Sequence, residues 1–174
     1  MKQLFLALSL FVLSVLLAPT NLAAQSFGYV DSRQILEKMN TYQQAQQQIN
    51  QIAEGWEKEV TAQKQNIEKL YKQFQAEQVL LTDKDRAKRE QEIFDKEKAL
   101  KDFQREKFGP EGELYKKRVE LVKPIQDQVA KAIETVAKNK KIDFVLDKGQ
   151  GVAIVYANPS FDYTADVLKE LNTK

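Results

Sequence analysis

Two residue types are absent from this chain of 174 residues, histidine and cysteine, and glycine (6), proline (4) and tryptophan (1) are scarce. Without histidine or cysteine there is no Cys/His or Ser/His nucleophile pair. There is also no zinc site of the usual ligands and no imidazole to serve as general base. No disulfide can staple the fold, so stability has to come from packing or assembly. The missing thiol also excludes a lipid-anchored lipoprotein. An excess of one charge is lacking too: 27 Lys and Arg stand against 25 Asp and Glu, a formal net charge of +2. Nucleic-acid binders carry a basic patch or a high pI, and this balance offers no electrostatic case for such a partner.

Long apolar runs are missing except at the start. Lys2 supplies a positive flank, and Leu4 to Ala18 is apolar apart from Ser9 and Ser14. Pro19, Thr20 and Asn21 break the run, and Leu22-Ala23-Ala24 offers a cleavage site before Gln25. This is the layout of a cleaved secretory signal over residues 1–24. The run is shorter than the roughly 20 residues a spanning helix needs. The expected mature chain, Gln25 to Lys174, loses Lys2 and no acid, so its net charge falls from +2 to +1.

What is present is mostly Gln, Lys, Glu and Ala, from Ser32 to about Lys141. Before that zone Phe27-Gly28-Tyr29-Val30-Asp31 reads as a short strand, rich in aromatic and β-branched residues. After it Ile142 to Leu146 and Val152 to Tyr156 read as two further strands. The turn material Asp147-Lys148-Gly149-Gln150-Gly151 between them predicts a hairpin. Asn158-Pro159-Ser160 is another turn, and Asp162 to Leu171 reads as a short terminal helix.

The central zone carries the clearest pattern. Ile35, Met39, Tyr42, Gln46, Ile49, Ala53, Trp56, Val60, Gln63, Ile67, Leu70, Phe74, Glu77 and Leu81 alternate four and three apart. A period of 3.5 keeps one face of a helix toward a partner helix, the seam of a coiled coil. The seam stops at Leu80-Leu81, and Thr82-Asp83-Lys84-Asp85 resembles a capping box that would start a second helix. A reversal is therefore expected near residues 81–83. In the second arm Ile93, Leu100, Phe103, Leu114, Leu121, Val122, Ile125, Val129, Ile133 and Val136 form a looser stripe. Proline removes an N–H and clashes with the preceding turn, which predicts a break at Gly109-Pro110 and a milder kink at Pro124.

About 50 residues go out and about 55 return, each arm roughly 75–80 Å long at 1.5 Å per residue. Matched arms bring the first strand and the last strands together. The predicted fold is thus mainly α with a small β body (α+β): a long antiparallel helical hairpin, or coiled-coil tentacle, over residues 32–141. The body, residues 25–31 and 142–174, holds only about 40 to 45 residues, near the size below which a domain seldom folds unaided. It is expected to oligomerise through Tyr29, Val30, Phe144, Val145, Ile154 and Val155.

Chemistry-bearing motifs are weak. Gly149-Gln150-Gly151 lacks the Lys-Ser/Thr of a phosphate loop and no helix follows it. Proline occupies the middle of Asn158-Pro159-Ser160, so it is not a glycosylation acceptor. Asp143 and Asp147 flank an apolar strand, and a solvated role suits them better than acid/base work. No metal ligand set, cofactor site or catalytic residue emerges. The aromatics Trp56, Tyr71, Phe74, Phe94, Phe103 and Phe108 exceed what a two-stranded seam readily hides. They either pack between the arms or face an apolar client, and are the candidate client-binding residues.

Several segments resemble the Skp/OmpH family of periplasmic chaperones. Gly28-Tyr29-Val30-Asp31-Ser32 resembles its entry strand. Phe108-Gly109-Pro110-Glu111-Gly112-Glu113-Leu114 and Leu121-Val122-Lys123-Pro124-Ile125-Gln126-Asp127 are similar to its return helix. Ile142-Asp143-Phe144-Val145-Leu146-Asp147 and Tyr156-Ala157-Asn158-Pro159 look like its closing strands, and Asp162 to Leu168 like its final helix. The resemblance implies a homotrimer with a β-barrel-like trimerisation body and three tentacles around a cavity. It implies an ATP-independent periplasmic holdase for unfolded outer-membrane proteins. The other partner contact expected is a transient one with a membrane surface. The family's better-known members are strongly basic, whereas this chain is nearly neutral. The rival readings are a structural or tethering coiled coil of the envelope and, with little support, an enzyme using carboxylates on the body.

Overall fold

A computed structural model describes residues 25–149, 151 and 154–172. The segment 1–24 read as a signal, Gln150 of the expected turn, and Val152 and Ala153 of the expected closing strand lie outside the described residues. The elements in order are β1 (Phe27–Val30), α1 (Ser32–Lys38), α2 (Asn40–Glu77), α3 (Asp83–Phe108), α4 (Glu113–Lys140), β2 (Phe144–Asp147), a single 3-10 turn at Pro159–Phe161 and α5 (Thr164–Asn172). The described residues are mostly helical, with one small parallel sheet of two strands.

The 3.5-residue stripe translates directly into burial. Of its positions only Glu77 is exposed; the others are buried or half-buried. Val60 and Ile67 of α2 form one apolar cluster with Ile93 and Leu100 of α3, and Leu70, Phe74 and Phe103 pack on it. A second cluster joins Ile35 and Leu36 of α1 and Ala45 of α2 to Ile125, Val129 and Val136 of α4 and Val167 of α5. Each cluster thus draws on both stripes read from the sequence.

The helix termini follow local chemistry. Thr82 caps α3: its hydroxyl oxygen accepts from the Asp85 amide at 3.2 Å, and its hydroxyl donates to the Asp85 carboxylate at 2.6 Å. Asp83 and Asp85 also place negative charge at the positive end of the helix dipole. At the far end of α3 the chain leaves the helix at Gly109, and α4 begins after Gly112. Helix α4 then runs through Pro124 without interruption. It ends at Lys141, which takes the left-handed conformation (φ 56°) so that the Ile142 amide can reach the Ala137 carbonyl at 2.9 Å.

Three expectations are corrected. The first arm is not continuous from Ser32: Met39 is extended (φ −84°, ψ 121°) and separates α1 from α2. Met39 packs on the basal cluster, and the break lets α1 lie against α4 and α5, burying Ile35 and Leu36. The hairpin of Ile142–Leu146 with Val152–Tyr156 is not formed either. Instead β2 pairs in parallel with β1, from Phe27 with Phe144 to Val30 with Asp147, and Ile154 to Tyr156 lies in no strand. In this register Val145 stands opposite Gly28 and packs on the core cluster to which Val30 belongs. On its other edge β1 bridges Asp162, and the Tyr163 amide donates to the Tyr29 carbonyl at 2.9 Å. Asp162 is thus spent on the bridge and on accepting from the Thr164 amide, so the last helix starts at Thr164.

The third correction concerns the two aspartates, which are not simply solvated. Asp147 accepts from the Ser32 amide at 3.1 Å, the Ser32 hydroxyl at 2.5 Å and the Gly149 amide at 2.8 Å. It therefore ties the end of β2 to the first turn of α1. Gly149 belongs to the same joint: a Cβ there would sit 2.7 Å from the Arg33 backbone nitrogen. Asp143 accepts from the Ser26 amide at 2.7 Å and its hydroxyl at 3.1 Å, clamping the other end of the sheet. Asp147→Ala should leave the Ser32 and Gly149 amides without their acceptor and cost about 1–3 kcal/mol. A urea midpoint at fixed protein concentration, unmoved in this variant, would contradict that role.

Candidate functional site

Two surfaces carry exposed apolar side chains. The first lies where α3 gives way to α4. The edge of the Trp56 ring meets Phe108 in a T-shaped pair, centroids 6.1 Å apart at 89°. Lys107 lies over both Trp56 (5.4 Å) and Phe103 (5.7 Å). Its ammonium also donates to Glu106 at 2.7 Å. That hydrogen bond raises the lysine above its ordinary pKa, against the opposing effect of desolvation, and the charges of Glu106, Glu113 and Glu59 add to the rise. The ammonium therefore sits over the faces of two rings while it is hydrogen-bonded to a carboxylate.

The six candidate aromatics divide by environment. Trp56, Phe103 and Phe108 come together under Lys107. Phe74 packs on the cluster between α2 and α3. Tyr71 is partly exposed yet tied across to α3: the negative charge of Glu97 and a hydrogen bond to it push the phenol above its ordinary pKa, with desolvation adding. Phe94 is separate from these and 59% exposed, directly after Ile93, which is 4% exposed. On α4 Tyr115 and Val119, four residues apart on one face, are also exposed. They were not singled out by the sequence, although their spacing is readable there. Lys107 was missed as well; its place four residues after Phe103 was the available signal.

The second surface is on the sheet. Phe27 and Phe144 stack with centroids 5.3 Å apart and planes at 17°, and both are about half exposed. Strand alternation puts Phe144 and Leu146 outward and Val145 and Asp147 inward. A cavity of about 460 Å³ opens beside them, lined among others by Tyr29, Ile142, Leu146, Ile154, Tyr156 and Phe161. Of the six residues assigned to the body, Tyr29 and Val30 are buried within the chain and Val145 packs on its core. Phe144 faces out, Ile154 lines the cavity and Val155 is fully exposed. Phe27, Leu146, Tyr156 and Phe161 extend this apolar face beyond the residues chosen from sequence. Burial and the Asp162 carboxylate push the Tyr29 phenol above its ordinary pKa, and Lys148 lies 5.8 Å from its ring.

Residues 26–171 match the family described as "Outer membrane protein (OmpH-like)". An uncharacterised protein of Aquifex aeolicus is 29% identical over 146 residues, covering 84% of this chain and 85% of its own. A crystal structure from Caulobacter crescentus, assigned as an OmpH-like outer membrane chaperone, superimposes with a TM-score of 0.71 at 15% identity. It covers 86% of this chain and 85% of its own.

Adjacent residues of α3 provide a direct check on which apolar groups hold the arm. Ile93→Ala should cost about 2–4 kcal/mol by emptying a packed site, whereas Phe94→Ser should move stability by no more than about 0.5 kcal/mol. Equal losses in denaturant unfolding would mean that Phe94 is packed. Phe108→Ala should shift the emission of Trp56 to the red with helix content retained, because this tryptophan has no other of its kind to mask it.

Proposed function

The chain belongs to the OmpH-like outer membrane protein family, and on that premise we propose that it is an ATP-independent holdase of the periplasm. It binds unfolded outer-membrane proteins and keeps them from aggregating until they are inserted. The observation that carries this reading is the set of exposed apolar side chains on the arms, Phe94 and the pair Tyr115 and Val119, set among charged residues. Unfolded outer-membrane strands present alternating apolar residues and unpaired edges that aggregate in water. Scattered apolar contacts on long rods hold such chains weakly and without sequence preference, which is what a holdase requires.

In this reading residues 1–24 are a cleaved export signal. Residues 32–141 form one antiparallel tentacle that turns at 81–83 and breaks at 109–110. Support comes from Trp56 and Phe108, which touch although each lies far along the chain from Thr82, and from the shared cluster of Val60, Ile67, Ile93 and Leu100. Residues 25–31 and 142–174 form a trimerisation body, barrel-like once sister copies close it. The outward Phe27–Phe144 stack and the exposed Val155 and Tyr156 support this, because an apolar face of that kind on a two-stranded sheet is stable in water only when covered. A tethering coiled coil would share the helices but gives no account of Phe94, Tyr115 and Val119.

The test begins with a denatured porin diluted into buffer and followed by light scattering. An equimolar amount of trimer should suppress aggregation; unchanged scattering would end the holdase reading. Phe94→Ser combined with Tyr115→Ser should weaken client retention several-fold with the circular dichroism of the helices unchanged. Phe144→Asp with Leu146→Asp should lower the solution mass from that of a trimer toward that of one chain.

A further inference from the structure

The base of α2 differs in chemistry from the rest of both arms. From Met39 to Ala53, fifteen consecutive residues carry no charge, and eight of them are carboxamides: Asn40, Gln43, Gln44, Gln46, Gln47, Gln48, Asn50 and Gln51. By contrast 17 of the 26 residues of α3 are charged. Helix formation does not explain the difference, because Gln, Glu and Lys have nearly equal helix propensity. Solubility does not explain it either, since charged residues would serve the exposed face equally well.

One side of this segment is occupied. Ala45 and Ile49 are buried at the base of the arm, and Tyr42 packs on the cluster there. The other side is a shallow groove, wide open to solvent, lined by Tyr42, Gln43, Gln46, Gln47, Asn50 and Gln51, with Glu37 and Glu54 at its ends and no cation in its lining. Two of the carboxamides are already oriented. Gln43 donates to the Glu37 carbonyl at 2.8 Å, and Gln46 donates to the Tyr42 hydroxyl at 3.2 Å.

We propose that this groove binds the extended backbone of an unfolded polypeptide. The inference rests on the holdase reading and names the part of the client that is recognised. A carboxamide has both donors and an acceptor, as does each peptide group, whereas Lys only donates and ionised Glu only accepts. Side chains three and four apart along a helix face lie about 5–6 Å from one another. The peptide groups on one side of an extended strand repeat at about 6.7 Å, twice the rise per residue. Flexible Gln side chains bridge that small difference. Such contacts do not depend on the client's side chains or charge, and they meet the unpaired N–H and C=O groups that drive strand aggregation.

The variant Gln47→Ala, Asn50→Ala and Gln51→Ala removes three exposed carboxamides, and alanine favours the helix. The probes are a labelled peptide copied from one porin strand and its analogue N-methylated on alternate amides. Methylation should weaken binding to the unaltered protein by about three- to ten-fold for each hydrogen bond lost. The variant should bind the unmethylated peptide that much more weakly and no longer distinguish the two peptides. The proposal is overturned if methylation matters equally in both proteins. It is overturned too if the variant changes solution mass while peptide affinity stays the same, which would assign this face to a neighbouring copy. If the unaltered protein suppresses porin aggregation and the peptide results go against the proposal, only the groove assignment falls. Failure to suppress aggregation removes the holdase reading and the groove assignment with it.

Discussion

Everything else in this molecule depends on the parallel pairing of two four-residue strands that lie far apart in the chain. Phe27 must meet Phe144, and the Ser26 amide must reach Asp143, 117 residues away. That closure carries a large entropic cost, and two short strands cannot meet it by their own hydrogen bonds. It is met because the intervening chain is almost all helix, and the apolar cluster that joins α1 and α2 to α4 and α5 holds the two strands within reach of each other. The helices in turn need the closure: α1 and α5 have a core to pack on only when the base is assembled.

The joint at the base shows how polar and apolar terms share this work. Asp147 gives its carboxylate to Ser32 and Gly149, and Asp31 gives its own to the Gln34 amide, so the entry to α1 is capped twice. The Asp31 amide reaches the Thr164 hydroxyl, linking β1 to the last helix. Directly beneath, Val30, Ile35 and Val167 are almost wholly buried. Hydrogen bonds fix the register of the strands, and the apolar side chains beneath supply the driving force.

The arms and the base are therefore different kinds of surface. Along α3 dense charge keeps a long rod soluble, and the few exposed aromatics on it are separated from each other. At the start of α2 charge disappears and carboxamides take its place. Ion pairs along the arms are exposed and lie mostly one helical turn apart, as between Lys72 and Glu68 or Lys138 and Glu134, and they contribute little to stability. The small apolar clusters carry the arm instead, which is why neighbouring positions such as Ile93 and Phe94 differ so much in environment.

The helical part was legible because its signals are local. The four-three alternation from Ile35 to Leu81, which does not mark the break at Met39, the cap at Thr82 and the stop at Gly109-Pro110 each depend on residues within a turn or two of one another. The charge balance and the missing histidine and cysteine are properties of composition, and need no fold at all. Strand pairing is not local. Nothing within Ile142 to Tyr156 distinguishes an antiparallel hairpin from a parallel partner arriving from residue 27, and only the returning helices decide it. The same holds for the sites: six aromatics could be named from the sequence. Which of them gather under Lys107, which pack between helices and which, like Phe94, face outward depends on where the second rod lies against the first. Asp143 and Asp147, at the two ends of β2, became anchors rather than solvated charges for the same reason, since their partners Ser26 and Ser32 lie more than a hundred residues away in the chain.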